Sequence, residues 1–204
     1  MTDTDLERLN SAAPSKLADA VGMILTPAVL VSGLLAYVTI RHTPDLTSAL
    51  KWLALAALFI VAIPYAILRL LHRRGGVDDL QVVRRSQRPK LFVMASICTG
   101  LGLALLRLLG APTPLIALVI AMLAGLATML IVTLRWKASM HLAVFGGTLA
   151  ILAHEQPVAA LLLSPTVPLL AWSRVRAGRH SLGQVTAGAL IGAVVAYAVY
   201  GALT

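Results

Sequence analysis

The chain has 204 residues, of which 59% are hydrophobic and 12% are charged, and its formal net charge is +9. A soluble globular domain of this size does not need so much apolar surface, so the composition predicts an integral membrane protein. The positive charge does not indicate nucleic-acid binding, because the chain has no soluble domain that could present a basic face. The single cysteine, Cys98, excludes an intramolecular disulfide and has no metal-ligand residues beside it.

The beginning of the chain differs in composition from everything that follows. Residues 1–20 are polar and lack the basic start, short apolar core and cleavage site of a signal peptide, so we predict a polar N-terminal tail. Residues 21–204 are predicted to form one membrane-embedded helical domain. The apolar segments of this domain, most of them close to the ~20 residues that cross a bilayer as a helix, are 21–40, 50–71, 91–110, 115–134, 141–153, 158–172 and 181–203.

Two of the seven segments, 141–153 and 158–172, are slightly short for a full crossing. The predicted fold is therefore an all-α, polytopic membrane helix bundle with six to seven transmembrane helices. Pro27 and Pro64 lie within the first two spans and should kink them. In the last span, Gly188 and Gly192 form a small-residue face that allows close packing against a neighbouring helix.

Three connecting loops are rich in cations, and they lie at residues 72–90, 135–141 and 173–180. Two apolar segments separate each loop from the next, and an even number of crossings returns the chain to the same side. The three loops are therefore predicted to share one membrane face. All 17 Lys and Arg residues except Arg41, Lys51 and Arg107 lie on or near that side. The positive-inside rule makes it the cytoplasmic face of the cell membrane.

The third loop has the composition of a phosphate site. Arg174, Arg176, Arg179 and His180 fall within seven residues, and an apolar helix begins directly after them. Arginine supplies forked donors that suit a phosphate, and the first turn of a helix supplies free N–H groups. A histidine at this point can act as a nucleophile or carry a proton. The alternative interpretation is an ordinary cytoplasmic loop that follows the positive-inside rule.

The three loops together contain a recurring pattern. In the third loop, Ser173-Arg174 is followed after five residues by His180; the second contains Ser139 and His141; the first contains Arg88-Pro89. In order and spacing, they resemble the three signature motifs of the type 2 phosphatidic acid phosphatases, the membrane lipid phosphate phosphatases. Those motifs read K-x6-R-P, then P-S-G-H, then S-R-x5-H-x3-D. The resemblance covers about half of the chain, from residue 81 to residue 184.

The chain departs from the family pattern at several positions. Gln184 stands where the family has Asp, and Ala138 and Met140 stand where the second motif has Pro and Gly. The family lysine position is Gln81, so that cation is missing in register. Arg84 or Arg85 could replace it from one helical turn away, and Lys137 is an additional cation beside the second motif.

The resemblance implies a role for each matching residue. His180 would be the nucleophile that forms a phosphohistidine, and His141 would protonate the leaving group. Gln184 would take the place of the aspartate that orients the nucleophile. Phosphoryl transfer mainly needs positioning and positive charge around the phosphoryl oxygens. The residues that would hold these oxygens, by resemblance or as substitute cations, are Arg88, Arg174, Ser139, Lys137, Arg84 and Arg85.

The resemblance implies a lipid phosphate phosphatase acting on a phosphate monoester or diphosphate such as phosphatidate or a polyprenyl phosphate. No metal or other cofactor is expected, because the few acids do not cluster with histidine at ligand spacing. The expected partners are the lipid substrate and membrane lipids, without nucleic acid.

Gln184 carries no charge, and the corresponding Asp to Asn change in a serine-protease triad costs about 10⁴ in kcat. The alternative is therefore a catalytically silent protein of the same fold that binds lipid phosphates. A small transporter is a third class, and it would need polar residues at mid-membrane depth, which the spans largely lack.

Overall fold

The computed structural model describes residues 16–77 and 84–204, and its secondary structure there is helical with no strand. Six helical stretches are long and apolar enough to cross a membrane by length and composition, which confirms an all-α multi-span bundle. Part of the predicted N-terminal tail, Asp78, Asp79 and Gln81 lie outside the described residues. The six stretches are Lys16–Arg41, Leu46–Arg73, Arg85–Leu108, Thr113–Arg135, Pro157–Arg176 and Leu182–Gly201.

Several of these stretches are divided by local breaks, so the helices are numbered individually here. The helices are α1 (Lys16–Ile24), α2 (Pro27–Arg41), α3 (Leu46–Ala57), α4 (Ile63–Arg73), α5 (Arg88–Leu108), α6 (Thr113–Arg135), α7 (Met140–Glu155), α8 (Pro157–Leu163), α9 (Thr166–Arg176) and α10 (Leu182–Gly201). A π-helical turn, Leu58–Ala62, joins α3 to α4, and a short 3-10 turn, Arg85–Gln87, precedes α5.

The two prolines predicted to kink the first spans lie at breaks in the helices. Thr26 adopts an extended conformation between α1 and α2, and its side chain caps α2 by accepting a hydrogen bond from Val29 N–H at 3.3 Å. Pro27 then occupies the first turn of α2, where a backbone N–H would have no partner within the helix, so the lack of an N–H in proline removes no hydrogen bond. Pro64 follows the π-helical turn, in which Ile63 N–H donates to the carbonyl of Leu58. The first span is thus two helices, and α1 can lie at its own angle over the end of the bundle.

Helix α7 is the short central helix of the fold. It has 16 residues, most of them buried, and so it covers ~24 Å, less than a ~30 Å hydrocarbon core. This is the predicted segment 141–153, and it is not among the six helices long enough to span. Its two ends carry polar residues, His141 at the first turn and Glu155 at the last. Neighbouring helices therefore cover it on most sides, and its ends lie at opposite ends of the bundle.

Helices α7 and α10 run in the same direction with their backbones almost in contact. A Cβ atom on Gly188 would overlap the carbonyl of Ser139, and one on Gly192 would overlap the carbonyl of Ala143. The prediction that Gly188 and Gly192 pack against a neighbouring helix is therefore confirmed, and that neighbour is α7. The close approach lets Ser139 N–H donate to the carbonyl of Gln184 at 3.0 Å. Two of the predicted motifs are joined directly by this bond.

The opposite end of the same helix pair is held by a carboxylate. Glu155 has a side chain that is only 7% exposed, and it accepts hydrogen bonds from Tyr200 at 2.5 Å and from His42 at 2.7 Å. Arg41 Nε lies 3.3 Å from the same carboxylate. Buried carboxylates are stable only with such partners. The network joins the ends of α2, α7 and α10, which fixes the register of the bundle around the site at its other end.

Candidate functional site

The three cation-rich loops meet at one end of the bundle. Arg88 Nη1 donates to the carbonyl of Ala138 at 3.1 Å, which joins the first predicted motif to the second. Lys137 Nζ donates to the carbonyl of Arg179 at 2.9 Å, which joins the second to the third. With the bond from Ser139 to Gln184, these contacts bring residues far apart in the chain together at one end of the bundle.

Gln184 fixes the tautomer of the neutral His180 ring. The Nδ1 atom of His180 lies 3.1 Å from Oε1 of Gln184, and Ser181 N–H donates to the same oxygen at 3.3 Å. An N–H can only donate, so the shared atom is an oxygen acceptor and Nδ1 must carry its hydrogen. Gln184 is oriented in turn by a capping box with Ser181 at the start of α10. The lone pair of the neutral ring is therefore on Nε2.

The surroundings of His180 favour that neutral ring. Burial lowers the pKa of the His180 imidazole to about 4, and the positive charges of Arg88, Lys137 and Arg174 act in the same direction. The hydrogen bond with Gln184 opposes this shift but does not outweigh it. Burial and the charges of Arg88 and Arg179 also lower the pKa of Lys137. The site has an excess of positive charge, so a bound anion would relieve repulsion among its own groups.

Arg174 and His141 are buried polar side chains of the site. Arg174 is 1% exposed and donates through Nε and Nη2 to Ser173 Oγ at 3.2 and 3.1 Å. Ser173 Oγ itself donates to the carbonyl of Ala18 in α1 at 2.9 Å. Nε2 of His141 and Oγ of Ser139 are buried and have no hydrogen-bond partner among the residues that the structure describes. Buried groups of this kind normally have partners, which makes them candidate contacts for a ligand.

A cavity of about 900 Å³ leads from Arg174 and His141 into the bundle, and Ser139, a predicted phosphate ligand, does not line it. Its polar end is lined by Arg88, His141, Arg174, Arg179 and His180. From there apolar side chains of α2, α4, α5, α6, α7 and α10 line it as far as Ile151. The separation of His141 and Ile151 along α7 corresponds to ~15 Å. The cavity thus combines a cationic end with a long apolar interior, a shape that fits a molecule with a charged head and an apolar tail.

A second, smaller pocket lies on the other side of His180. Its volume is about 280 Å³, and it is lined by polar loop residues. Arg179 and His180 line both this pocket and the large cavity. His180 therefore stands between an apolar compartment and a polar one. The other residues that line the small pocket are Lys137, Gly178, Ser181 and Gln184.

Two of the predicted phosphate ligands are placed elsewhere. Arg84 and Arg85 are exposed, and neither lines the cavity or the small pocket. Arg85 Nη1 donates to the carbonyl of Arg135 at 2.6 Å, so it caps the end of α6. Gln81, the position of the family lysine, lies outside the described residues. Among the predicted cations, Arg88 and Arg174 line the cavity, and Lys137 lines the small pocket beside His180.

One element of the site was not predicted. Helix α1 packs against α9, and Gly22 lies directly against the guanidinium of Arg174. Burial lowers the pKa of His141 to about 3, and the nearby backbone of Gly22 acts in the opposite direction. In the sequence, Gly22 is a glycine near the start of an apolar span, and no motif marks it.

These features define the class of the protein: a multi-pass, all-helical membrane protein with a buried, cation-rich histidine site that opens on an apolar cavity. In the part of the chain that is described, no group of three or more His, Cys, Asp or Glu is placed to hold a metal ion. The chain matches no family model, no curated protein and no solved structure at a significant level.

Proposed function

We propose that this protein is a lipid phosphate phosphatase-like membrane enzyme that hydrolyses a phosphate monoester or diphosphate on a lipid. The observation that carries the proposal is the position of His180. Its Nδ1 is held by Gln184, and its ring lines both the cationic end of an apolar cavity and a polar pocket. The similarity of the three loops to the signature motifs of the type 2 phosphatidic acid phosphatases supports the same function.

The proposed reaction has two steps. In the first, a phosphate dianion binds beside His141 and favours the protonated form of its ring, which is otherwise neutral. Nε2 of His180 then attacks the phosphorus, the bond from phosphorus to the leaving oxygen breaks, and Nε2 of the protonated His141 gives that oxygen a proton. Arg88 and Arg174 bind the phosphoryl oxygens and stabilise their charge. In the second step, water attacks the phosphohistidine, the N–P bond breaks, and inorganic phosphate leaves. His141 returns to its starting state by accepting a proton from that water.

The apolar cavity supports a lipid as the substrate. A water-soluble phosphate ester would leave the long apolar interior between α2 and α10 unfilled, whereas an acyl or polyprenyl chain would fill it. Phosphatidate and polyprenyl phosphate or diphosphate are the substrate candidates. Several kinds of tail would fit an apolar cavity, so the panel of substrates in the test varies the tail and the head separately.

The test is phosphate release by purified protein in detergent from phosphatidate, a polyprenyl phosphate and a polyprenyl diphosphate. We expect the wild-type protein to release phosphate from at least one of these lipids, and His180→Ala and His141→Ala to lose that activity. His154→Ala is the matched control, because His154 lies at the far end of the bundle against Tyr197. Activity that survives in His180→Ala would contradict the proposal.

The uncharged amide of Gln184 favours one alternative, a lipid-phosphate-binding protein without catalysis. A carboxylate in its place would stabilise the positive charge that develops on His180, and an amide does not. If the wild-type protein binds phosphatidate vesicles but releases no phosphate from any lipid of the panel, the binding protein is the correct interpretation. The arginines and the apolar cavity would serve the same ligand in that case.

We further propose that the site faces the cytoplasm of a cell membrane, since the cation-rich loops surround it. Single cysteines in a Cys98→Ser background test the orientation: Ser86→Cys in the first loop and Thr47→Cys after the connector at the opposite end, both of which are exposed. A membrane-impermeant thiol reagent should label Thr47→Cys in intact cells, and Ser86→Cys only after permeabilisation. The reverse pattern would show that the site faces outward.

A further inference from the structure

We propose that Gly22 of α1 is a positioning residue of the site, which seats the guanidinium of Arg174 and fixes the ring of His141 for a bound phosphate. The inference rests on the proposed function, since it assigns a role at the same site. Gly22 itself carries no group that touches a substrate. It acts through Arg174 of α9, the helix against which α1 packs, and through His141 of α7.

The first contact is between Gly22 and Arg174. A Cβ atom at position 22 would overlap the Nη2 and Cζ atoms of Arg174. Arg174 is 1% exposed, and its Nε and Nη2 donate to Ser173 Oγ, which holds the guanidinium against α1. A guanidinium is the end of a flexible side chain, and a methyl group at position 22 would displace it rather than move the backbone. The displaced group is one that lines the phosphate end of the cavity.

The second contact is between Gly22 and His141. The backbone of Gly22 lies beside the His141 ring and favours its protonated form, whereas burial lowers the pKa of His141 to about 3. Nε2 of His141 has no hydrogen-bond partner in the described part of the chain. In the proposed arrangement, the Gly22 carbonyl accepts a hydrogen bond from Nδ1, and Nε2 exchanges the second proton of the ring. This contact uses the backbone and would survive a change of side chain at position 22.

The position of Gly22 inside helix α1 also indicates that the site needs the space left by the missing side chain. Glycine destabilises the interior of a helix relative to alanine, so Gly22→Ala should favour α1 locally. Ser173 Oγ donates to the carbonyl of Ala18, one turn before Gly22, which holds this face of α1 on α9. A single face of α1 thus contacts Ser173, Arg174 and His141. The absence of a side chain is what allows the guanidinium to lie there.

The experiment is Gly22→Ala, with Gly33→Ala as its matched control. Gly33 is in α2, and a Cβ there would meet nothing within 4 Å. The readouts are binding of orthovanadate to the purified protein and, for lipid phosphate hydrolysis, KM separately from kcat. We expect Gly22→Ala to weaken orthovanadate binding and raise KM by about 10- to 100-fold, as for the loss of one charge-assisted hydrogen bond. Gly33→Ala should bind as the wild-type protein does. Unchanged binding in Gly22→Ala would overturn the proposal.

A double variant separates positioning from a general loss of structure. If Gly22 acts through Arg174, adding Gly22→Ala to Arg174→Ala should weaken orthovanadate binding no further than Arg174→Ala alone. If Gly22→Ala by itself unfolds the protein, the double variant should restore folding, because the methyl group then has room. Additive losses, or a double variant that stays unfolded, would overturn the proposal. If the wild-type protein binds orthovanadate but does not hydrolyse lipid phosphates, only the proposed phosphatase activity is refuted. If it does not bind orthovanadate, both the phosphatase activity and the positioning role of Gly22 are refuted.

Discussion

Replacing His180 by asparagine is expected to lower kcat for lipid phosphate hydrolysis by about 10⁴-fold or more, the scale seen when an enzyme loses its nucleophile. Asparagine keeps a hydrogen-bonding group in the loop between α9 and α10 but cannot form a phosphoenzyme. The Nε2 atom of His180 is the one with a free lone pair, because Nδ1 is committed to Gln184. The loss should apply equally to every substrate, since each would pass through the same phosphohistidine.

His141→Gln should behave differently, and the difference identifies the two roles. A proton donor matters for an alkoxide leaving group and little for an aryl oxide, which leaves without a proton. We therefore expect His141→Gln to lose about 10²- to 10⁴-fold on a lipid phosphate and much less on an aryl phosphate such as p-nitrophenyl phosphate. His180→Asn should lose activity on both substrates.

The measurements are kcat and KM of both variants on both substrates, with trapping of labelled phosphoprotein as a second readout. Label that is stable in base and labile in acid is expected for a phosphohistidine in the wild-type protein and should be absent in His180→Asn. If His180→Asn retains hydrolysis of the aryl phosphate, or if the two variants lose activity in parallel on both substrates, the assigned roles are wrong.

The second prediction concerns Gln184→Glu, which introduces a carboxylate without changing the length of the side chain. The oxygen now lies 3.1 Å from Nδ1 of His180. A negative charge there favours the protonated ring, so the pKa of His180, which burial now lowers to about 4, should rise by roughly 1–3 units. The neutral ring is the nucleophile, so activity is lost as the pH falls through this pKa. The acid limb of kcat/KM should move upward by the same amount.

The same carboxylate should also raise the rate at alkaline pH, where both the wild-type and variant rings are neutral before attack. The phosphohistidine carries positive charge on the ring, and a carboxylate stabilises it while the amide does not; we expect about a tenfold gain or more in kcat. Gln184→Leu is the control, because it removes the acceptor that fixes the hydrogen on Nδ1 and should lower kcat. If Gln184→Glu leaves both the acid limb and kcat unchanged, His180 is not the titrating nucleophile.

The meeting of the three loops could be predicted because it depends on chain parity. Counting apolar segments between loops requires only composition, and the bonds from Arg88 to Ala138 and from Lys137 to Arg179 agree with the count. The close packing of Gly188 and Gly192 could also be predicted from the sequence, since small residues four positions apart share one face of a helix. The identity of their partner, α7, could not be predicted, because spacing within one helix does not tell which other helix it contacts.

Other parts of the site depend on contacts that have no local signal. Gly22 acts through the space it leaves for Arg174, which lies more than 150 positions away in the chain. Arg85 was a reasonable substitute for the missing family lysine by spacing, yet its side chain turns to the end of α6 instead of the cavity. The carboxylate network of Glu155 joins three helix ends, and each of its residues alone resembles an ordinary interfacial residue. Such features are set by how helices dock, which one-dimensional patterns do not contain.

The parallel course of α7 and α10 has an electrostatic consequence. Both helices begin at the site, with Ser139 and Ser181 at their first turns, and both end near Glu155 and Tyr200. Each helix carries about half a positive charge at its N-terminus, so two macrodipoles point their positive ends at the same place. Side-by-side dipoles of the same direction repel each other, and an anion between their N-termini offsets that repulsion. The affinity of this end of the bundle for a negative ligand is thus partly built into the backbone, where neither pH nor a side-chain substitution removes it.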